Sequence, residues 1–190
     1  PPHVAYLFIF VFQSPRKFPY VKINGLHIHI GSQITTQEPF INAIKKAIEF
    51  IERLKKIGTH IEYLDIGGGM GIIYKDETPQ TAQKFANAIL PYLIKTGLKI
   101  IMEPGRFIVG NAGIFVTKVL YLKDNGFKKF VIVDGGMNDL IRPSLYHAYH
   151  EIVPDKRNGA GNATVDVVGP ICESGYFFAK DRSLPRVKKN

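Results

Sequence analysis

The chain has 190 residues, 45% of them hydrophobic, and its 25 Lys and Arg against 16 Asp and Glu leave a formal charge of +9. That apolar content suffices for the core of one domain or two small ones and excludes a disordered charged tail. The basic residues are dispersed in short pairs such as Lys45-Lys46 and Lys128-Lys129. No helix-turn-helix, zinc-finger or aromatic-basic strand accompanies them, so nucleic acid is not an expected partner.

The apolar stretch at residues 4–12 is too short to cross a bilayer and reads as a buried strand or an irregular end, so no membrane role is expected. Residues 23–30, with β-branched residues in partial alternation, predict a strand followed at once by Gly31-Ser32. Thr35 and Glu38 have capping-box spacing, and Phe40, Ile44, Ala47, Ile48, Ile51 and Leu54 then recur at helical spacing until Gly58. Glu49 with Arg53 and Glu52 with Lys56 are candidate surface pairs on that helix.

A short strand over 61–66 runs into Gly67-Gly68-Gly69-Met70-Gly71. Thr78 and Pro79 then open a second helix whose inward candidates are Ala82, Phe85, Ala86, Ile89 and Leu93, with Pro91 a possible kink. Gly97 turns the chain into a third strand at 98–102. Alternating strands and helices predict parallel β/α architecture, with ligand groups just beyond the strand carboxyl ends.

After Arg106 the pattern becomes β-rich. Strands are expected over 114–122 and 127–133, joined at Asp124-Asn125-Gly126, and again over 164–168 after a loop-like run at 158–162. A boundary between the β/α units and a mainly β domain therefore falls near 107–114. Cys172 is the single cysteine, which rules out an internal disulfide and fits a reducing, cytoplasmic setting.

Chemistry concentrates at three strand ends. His27 and His29 share one strand face, but no cysteine or HExxH-type partner completes a metal set, so no metal is expected. Gly67, Gly68 and Gly69 suit either a tight structural turn or a nest of N–H groups for a phosphate. Glu103-Pro104-Gly105-Arg106 places a carboxylate and an anion-binding guanidinium at the third end, although a loop salt bridge would explain them equally well.

The segments 27–33, 64–69, 103–106, 133–146 and 172–175, taken in order and spacing, resemble the diaminopimelate decarboxylases of the alanine-racemase-like, fold-type III pyridoxal-phosphate class. The resemblance implies an α/β chain: part of a TIM-type β/α barrel at 23–110, then part of a mainly β C-terminal domain at 111–190, with 1–22 unassigned. It implies pyridoxal 5'-phosphate as cofactor, meso-2,6-diaminopimelate as substrate, L-lysine and carbon dioxide as products, and a homodimer. His29 would cover the pyridine ring, and Glu103 would pair with its nitrogen. Ser32, Gly67, Gly68, Gly69, Gly105 and Arg106 would contribute to phosphate binding. Arg106, Arg142 and Tyr146 would meet substrate carboxylates, Cys172 would take part in protonation, and Glu173 would recognise the amino-bearing end.

Two departures stand out. The position after Ser174-Gly175 is commonly acidic in the family, whereas this chain has Tyr176. The lysine that anchors the cofactor has no matching motif before Ile23, and a late tyrosine motif is missing as well, so the expectation is a fragment that is inactive by itself and exposes sheet edges. The alternatives are a related decarboxylase of arginine, ornithine or carboxynorspermidine, and a non-catalytic cofactor-binding or dimer-partner protein.

Overall fold

The computed structural model describes residues 20–156 and 161–188. The readings made for 4–12 and for most of the 158–162 loop lie outside them. The chain divides into two units, one formed by residues up to 73 together with 77–112, the other by 74–76 and the residues from 113 onward.

In the first unit, β1 (Gly25–His27), β2 (Tyr63–Asp65) and β3 (Lys99–Ile101) make a parallel three-stranded sheet in sequence order. Helices α1 (Glu38–Lys56) and α2 (Ala82–Leu93) supply the two crossovers. The helical repeat buries Phe40, Ile44, Ala47, Ile51 and Leu54 of α1. These pack with Phe85, Ile89 and Leu93 of α2 and with Leu64 and Ile66 from the β2 region. Phe40 and Phe85 meet edge to face, with ring centroids 4.8 Å apart. The sheet is open among the described residues; no closed barrel is seen.

Several local expectations shift. Thr35 does not cap α1, whose N-cap is Gln37 without a side-chain bond, because the Thr35 carbonyl instead accepts the Gln80 N–H at 3.2 Å. The second helix starts after Thr81, whose side chain accepts the Lys84 N–H, rather than at Thr78-Pro79. Ala82 is consequently exposed in the first turn. Pro91 sits inside α2 near its end. A short helix, α3 (Gly105–Val109), follows β3 where no element was expected.

In the second unit, β4 (Val119–Asp124), β5 (Lys129–Val133), β6 (Asn162–Val168) and β7 (Phe177–Pro185) form one sheet in sequence order. The β4–β5 hairpin arises from local chemistry at the expected tripeptide. The Asp124 carboxylate accepts the Gly126 N–H, the Asn125 side chain accepts the N–H groups of Phe127 and Lys128, and Gly126 takes φ 83°. Strand β6 pairs parallel to β5 and antiparallel to β7. The core comprises Val131, Val133, Val165, Val167, Phe178 and Ala179. Residues 114–118 form no strand, and Ile114 stays 91% exposed. A five-residue helix, α4 (Arg142–Tyr146), separates β5 from β6. No described helix is long and apolar enough to cross a membrane.

Candidate functional site

The parallel register sets His27, Asp65 and Ile101 side by side at the ends of β1, β2 and β3. The chain therefore leaves all three strands from one edge, which brings His29, the 67–69 glycines and Glu103 together. Their proximity is tight. A Cβ on Gly67 would overlap the Ile28 carbonyl, one on Gly68 the Glu103 carbonyl, and one on Gly69 the Gly31 carbonyl. Gly67 and Gly69 also hold φ of +69° and +103°. Three glycines are thus required for adjacent strand tips to touch backbone to backbone.

Their N–H groups are unequal. Gly67 donates to the Asp65 carboxylate at 2.8 Å, and Gly68 donates to His29 Nδ1 at 3.4 Å. The Gly105 N–H is likewise engaged, by the Glu103 carbonyl at 2.7 Å. Among the described residues, the Gly69 N–H and the exposed Ser32 hydroxyl have no protein partner. The bond from Gly68 makes His29 Nδ1 an acceptor, so the proton of a neutral imidazole sits on Nε2.

His27 Nε2 lies 3.4 Å from Glu103 Oε2, and both side chains are about half exposed. His27, His29 and Glu103 offer nitrogen and oxygen atoms that all lie within 4.8 Å of one another, a set from which a divalent cation could draw three ligands. The same atoms serve as hydrogen-bonding groups for an aromatic nitrogen base. Gln33, in the 27–33 segment but without an expected role, ties this edge together. Its side chain bonds the Ile72 backbone in both directions and accepts from Arg106 Nη1 at 3.1 Å. Its φ of 59° was the missing signal, visible only in the folded backbone.

The remaining predicted residues belong to the second unit. Arg142 and Tyr146 share one face of α4, four residues apart. The Arg142 guanidinium carbon is 5.5 Å from the centroid of the Tyr146 ring and 5.5 Å from that of Tyr74. Arg142 Nε is buried without a hydrogen-bond partner, and Arg142 has no ion pair among the described residues. Tyr74 escaped the sequence reading because nothing near it in the chain hints at residue 142.

Cys172 and Glu173 are both exposed, in a turn where Glu173 Oε1 accepts the Gly175 N–H at 3.1 Å. Tyr176 after that turn is seated within its own unit. Its hydroxyl bonds the Asn138 side chain, and its ring fills the space that a Cβ on Gly136 or Gly169 would need. A cavity of about 640 Å³ on the β4–β7 sheet, lined by Val119, Val131, Val165 and Leu184 among others, contains none of the candidate residues. It is a mostly apolar sheet face and carries no catalytic constellation.

Comparison with known proteins gives this geometry a family. A model described as "Pyridoxal-dependent decarboxylase, C-terminal sheet domain" matches residues 9–190. The chain is 48% identical over 179 residues to the diaminopimelate decarboxylase of Aquifex aeolicus (strain VF5), covering 94% of this chain and 43% of that protein. It superposes with TM-score 0.87 and 40% identity on the diaminopimelate decarboxylase from Helicobacter pylori complexed with L-lysine, across 97% of this chain and 46% of that one. Lysine/ornithine decarboxylase from Vibrio vulnificus shares the fold at TM-score 0.85 but only 23% identity. The chain spans less than half the length of these first two relatives. With the match extending through the strand-tip segments and the β-sheet unit alike, the chain belongs to the pyridoxal-dependent decarboxylase family.

Proposed function

We propose that this chain supplies cofactor and substrate contacts to a decarboxylase that converts meso-2,6-diaminopimelate to L-lysine and carbon dioxide. The observation that carries the reading is the grouping of His29 and Glu103 at the tips of the two strands that flank β2, in a chain 40% to 48% identical to diaminopimelate decarboxylases. In this reading residues 23–110 are part of a cofactor-binding barrel and 111–190 part of its C-terminal β domain. The working unit is a homodimer.

The donor set suits pyridoxal phosphate. Glu103 offers an exposed carboxylate for a protonated ring nitrogen, and His29 offers an imidazole whose tautomer is held by the Gly68 N–H. For the phosphate, the unengaged Gly69 N–H and Ser32 hydroxyl are the better-supplied donors, because those of Gly67, Gly68 and Gly105 are spent within the fold. Gly67 and Gly68 then serve the phosphate site by permitting the close approach that shapes it. When bound, the cofactor accepts the electron pair left behind as carbon dioxide departs. Glu103 keeps the ring nitrogen protonated, and His29 covers the ring and excludes water from it.

Arg106, Arg142 and Tyr146 select the substrate by its carboxylates. A guanidinium engages a carboxylate through paired donors, and Arg142 has no competing acidic partner among the described residues. That favours a diacid over ornithine, whose distal ammonium an arginine would repel. Cys172 and Glu173 are exposed; in this reading Cys172 delivers a proton and Glu173 meets the amino-bearing end. Carbon dioxide release by the full-length protein with added pyridoxal phosphate, measured on meso-2,6-diaminopimelate, ornithine and arginine, tests the assignment. Turnover confined to the first is expected; turnover of either of the others in its place would sink it.

A further inference from the structure

Arg142 is held in an unusual way for a cation. It has no carboxylate partner among the described residues, its Nε is buried without an acceptor, and its guanidinium carbon lies 5.5 Å from the centroids of two tyrosine rings. One ring, Tyr146, comes from the same helical turn. The other, Tyr74, comes from a three-residue stretch, 74–76, that packs with the second unit although its sequence neighbours belong to the first.

The distinction between a ring and a carboxylate as partner is chemical. A carboxylate would neutralise the guanidinium and consume its N–H donors in pairs. An aromatic face attracts the cation through its quadrupole, leaving both the charge and the edge donors available. Tyr74 is itself braced. The His150 ring meets it edge-on at 5.4 Å, and the His150 carbonyl accepts from Arg182 Nη1 at 2.9 Å. The Arg182 guanidinium in turn lies 4.1 Å from the centroid of Tyr149. A chain of contacts from β7 to the 74–76 stretch therefore fixes the ring on which Arg142 rests.

We infer that Tyr74 is a positioning residue for Arg142, holding the guanidinium in place without consuming its terminal donors, so that these can take a substrate carboxylate. This rests on the proposed role of Arg142 in diacid recognition, and it adds a specificity residue from outside the 142–146 segment. Because the ring acts on binding, its loss is expressed in KM more than in kcat.

The test uses the full-length protein with its cofactor and three variants, Tyr74→Phe, Tyr74→Leu and Tyr74→Met. Phenylalanine keeps the π face, whereas leucine and methionine keep apolar bulk without it. In the leucine and methionine variants, KM for meso-2,6-diaminopimelate is expected to rise about tenfold with kcat within about threefold, while the phenylalanine variant stays within about twofold on both. Calorimetric binding of pimelate, a diacid that cannot turn over, is expected to weaken by the same factor of about ten. Unchanged KM and pimelate affinity in leucine and methionine variants that remain folded would overturn the inference, even if their melting temperatures fall. An equal rise in KM in the phenylalanine variant, or no pimelate binding by the unaltered protein, would also overturn it. A full-length protein that releases no carbon dioxide from meso-2,6-diaminopimelate defeats the parent assignment instead, and pimelate binding then still decides the role of Tyr74.

Discussion

The strand tips of the first unit and the turns of the second are held in place by different means. In the first, the strand tips touch backbone to backbone, with glycines 67, 68 and 69 set against the carbonyls of Ile28, Glu103 and Gly31. In the second, side chains do the bracing. Asp166, only 7% exposed, receives the Lys128 ammonium at 2.9 Å and the Asp181 N–H at 2.7 Å, and Tyr176 bonds Asn138. A backbone contact has no slack for an added atom, whereas a side-chain brace can be weakened by degrees. The strand tips of the first unit should therefore respond to substitution as a switch, and the side-chain braces of the second as a scale.

The sharpest way to break that contrast is Gly68→Ala. The new methyl group would collide with the Glu103 carbonyl, which no side-chain rotation relieves, so a loss of about 3 kcal/mol or outright failure to fold is expected. Denaturant unfolding and pyridoxal phosphate retention would both register it. A variant that melts and holds cofactor like the parent would show that the tips have slack after all.

Next in size is Asp166→Ala in the second unit. It leaves the Asp181 N–H without its acceptor and removes one of the two carboxylates around Lys128, at a cost of about 2 kcal/mol by chemical denaturation. Tyr176→Phe keeps the ring in its seat and deletes only the bond to Asn138, so about 1 kcal/mol is expected. If the phenylalanine variant lost more than the Asp166 variant, the graded picture of this unit would be wrong.

The smallest effect is in pH dependence. Hydrogen bonds to Asp166 and then Asp181 raise the Lys128 pKa above the ordinary lysine value of 10.5. A raised folded-state pKa means the stabilisation is fully present below 10.5 and disappears as pH climbs through the higher folded value. The melting-temperature gap between the parent and Lys128→Met should thus be constant near neutrality and close in strongly alkaline buffer. A gap that instead closed on acidification, with none lost at high pH, would point to a different interaction at this lysine.

How much of this was legible beforehand depends on range. The apolar repeat of α1 and the Asp124-Asn125-Gly126 hairpin are local in origin and could be read directly, as could the three strand tips that parallel pairing then brought together. The start of α1 was misread because Thr35 gives its carbonyl to Gln80, a partner far along the chain. Strand β7 was missed for a related reason. Asp181 sits within it at φ 48°, opposite an irregular register at Val165 and Val167, so the apolar alternation that marks a strand is broken by Lys180-Asp181-Arg182. The isoleucine, phenylalanine and valine at 114–116 have strand propensity and yet form none, for propensity without a pairing partner leaves them exposed. In the site, residue types were readable but allocations were not: nothing in three consecutive glycines tells which N–H groups the fold will use.

The seat of Tyr176 has a consequence for anyone redesigning this chain. At Gly136 the three nearest atoms to an added methyl group all belong to the Tyr176 side chain, whereas at Gly169 the Gly135 carbonyl stands in the way as well. Positions 136 and 176 therefore behave as a single two-letter character. A library that varies 136 alone will return only glycine, one that replaces the tyrosine with aspartate will accept alanine there, and position 169 will refuse substitution in either background.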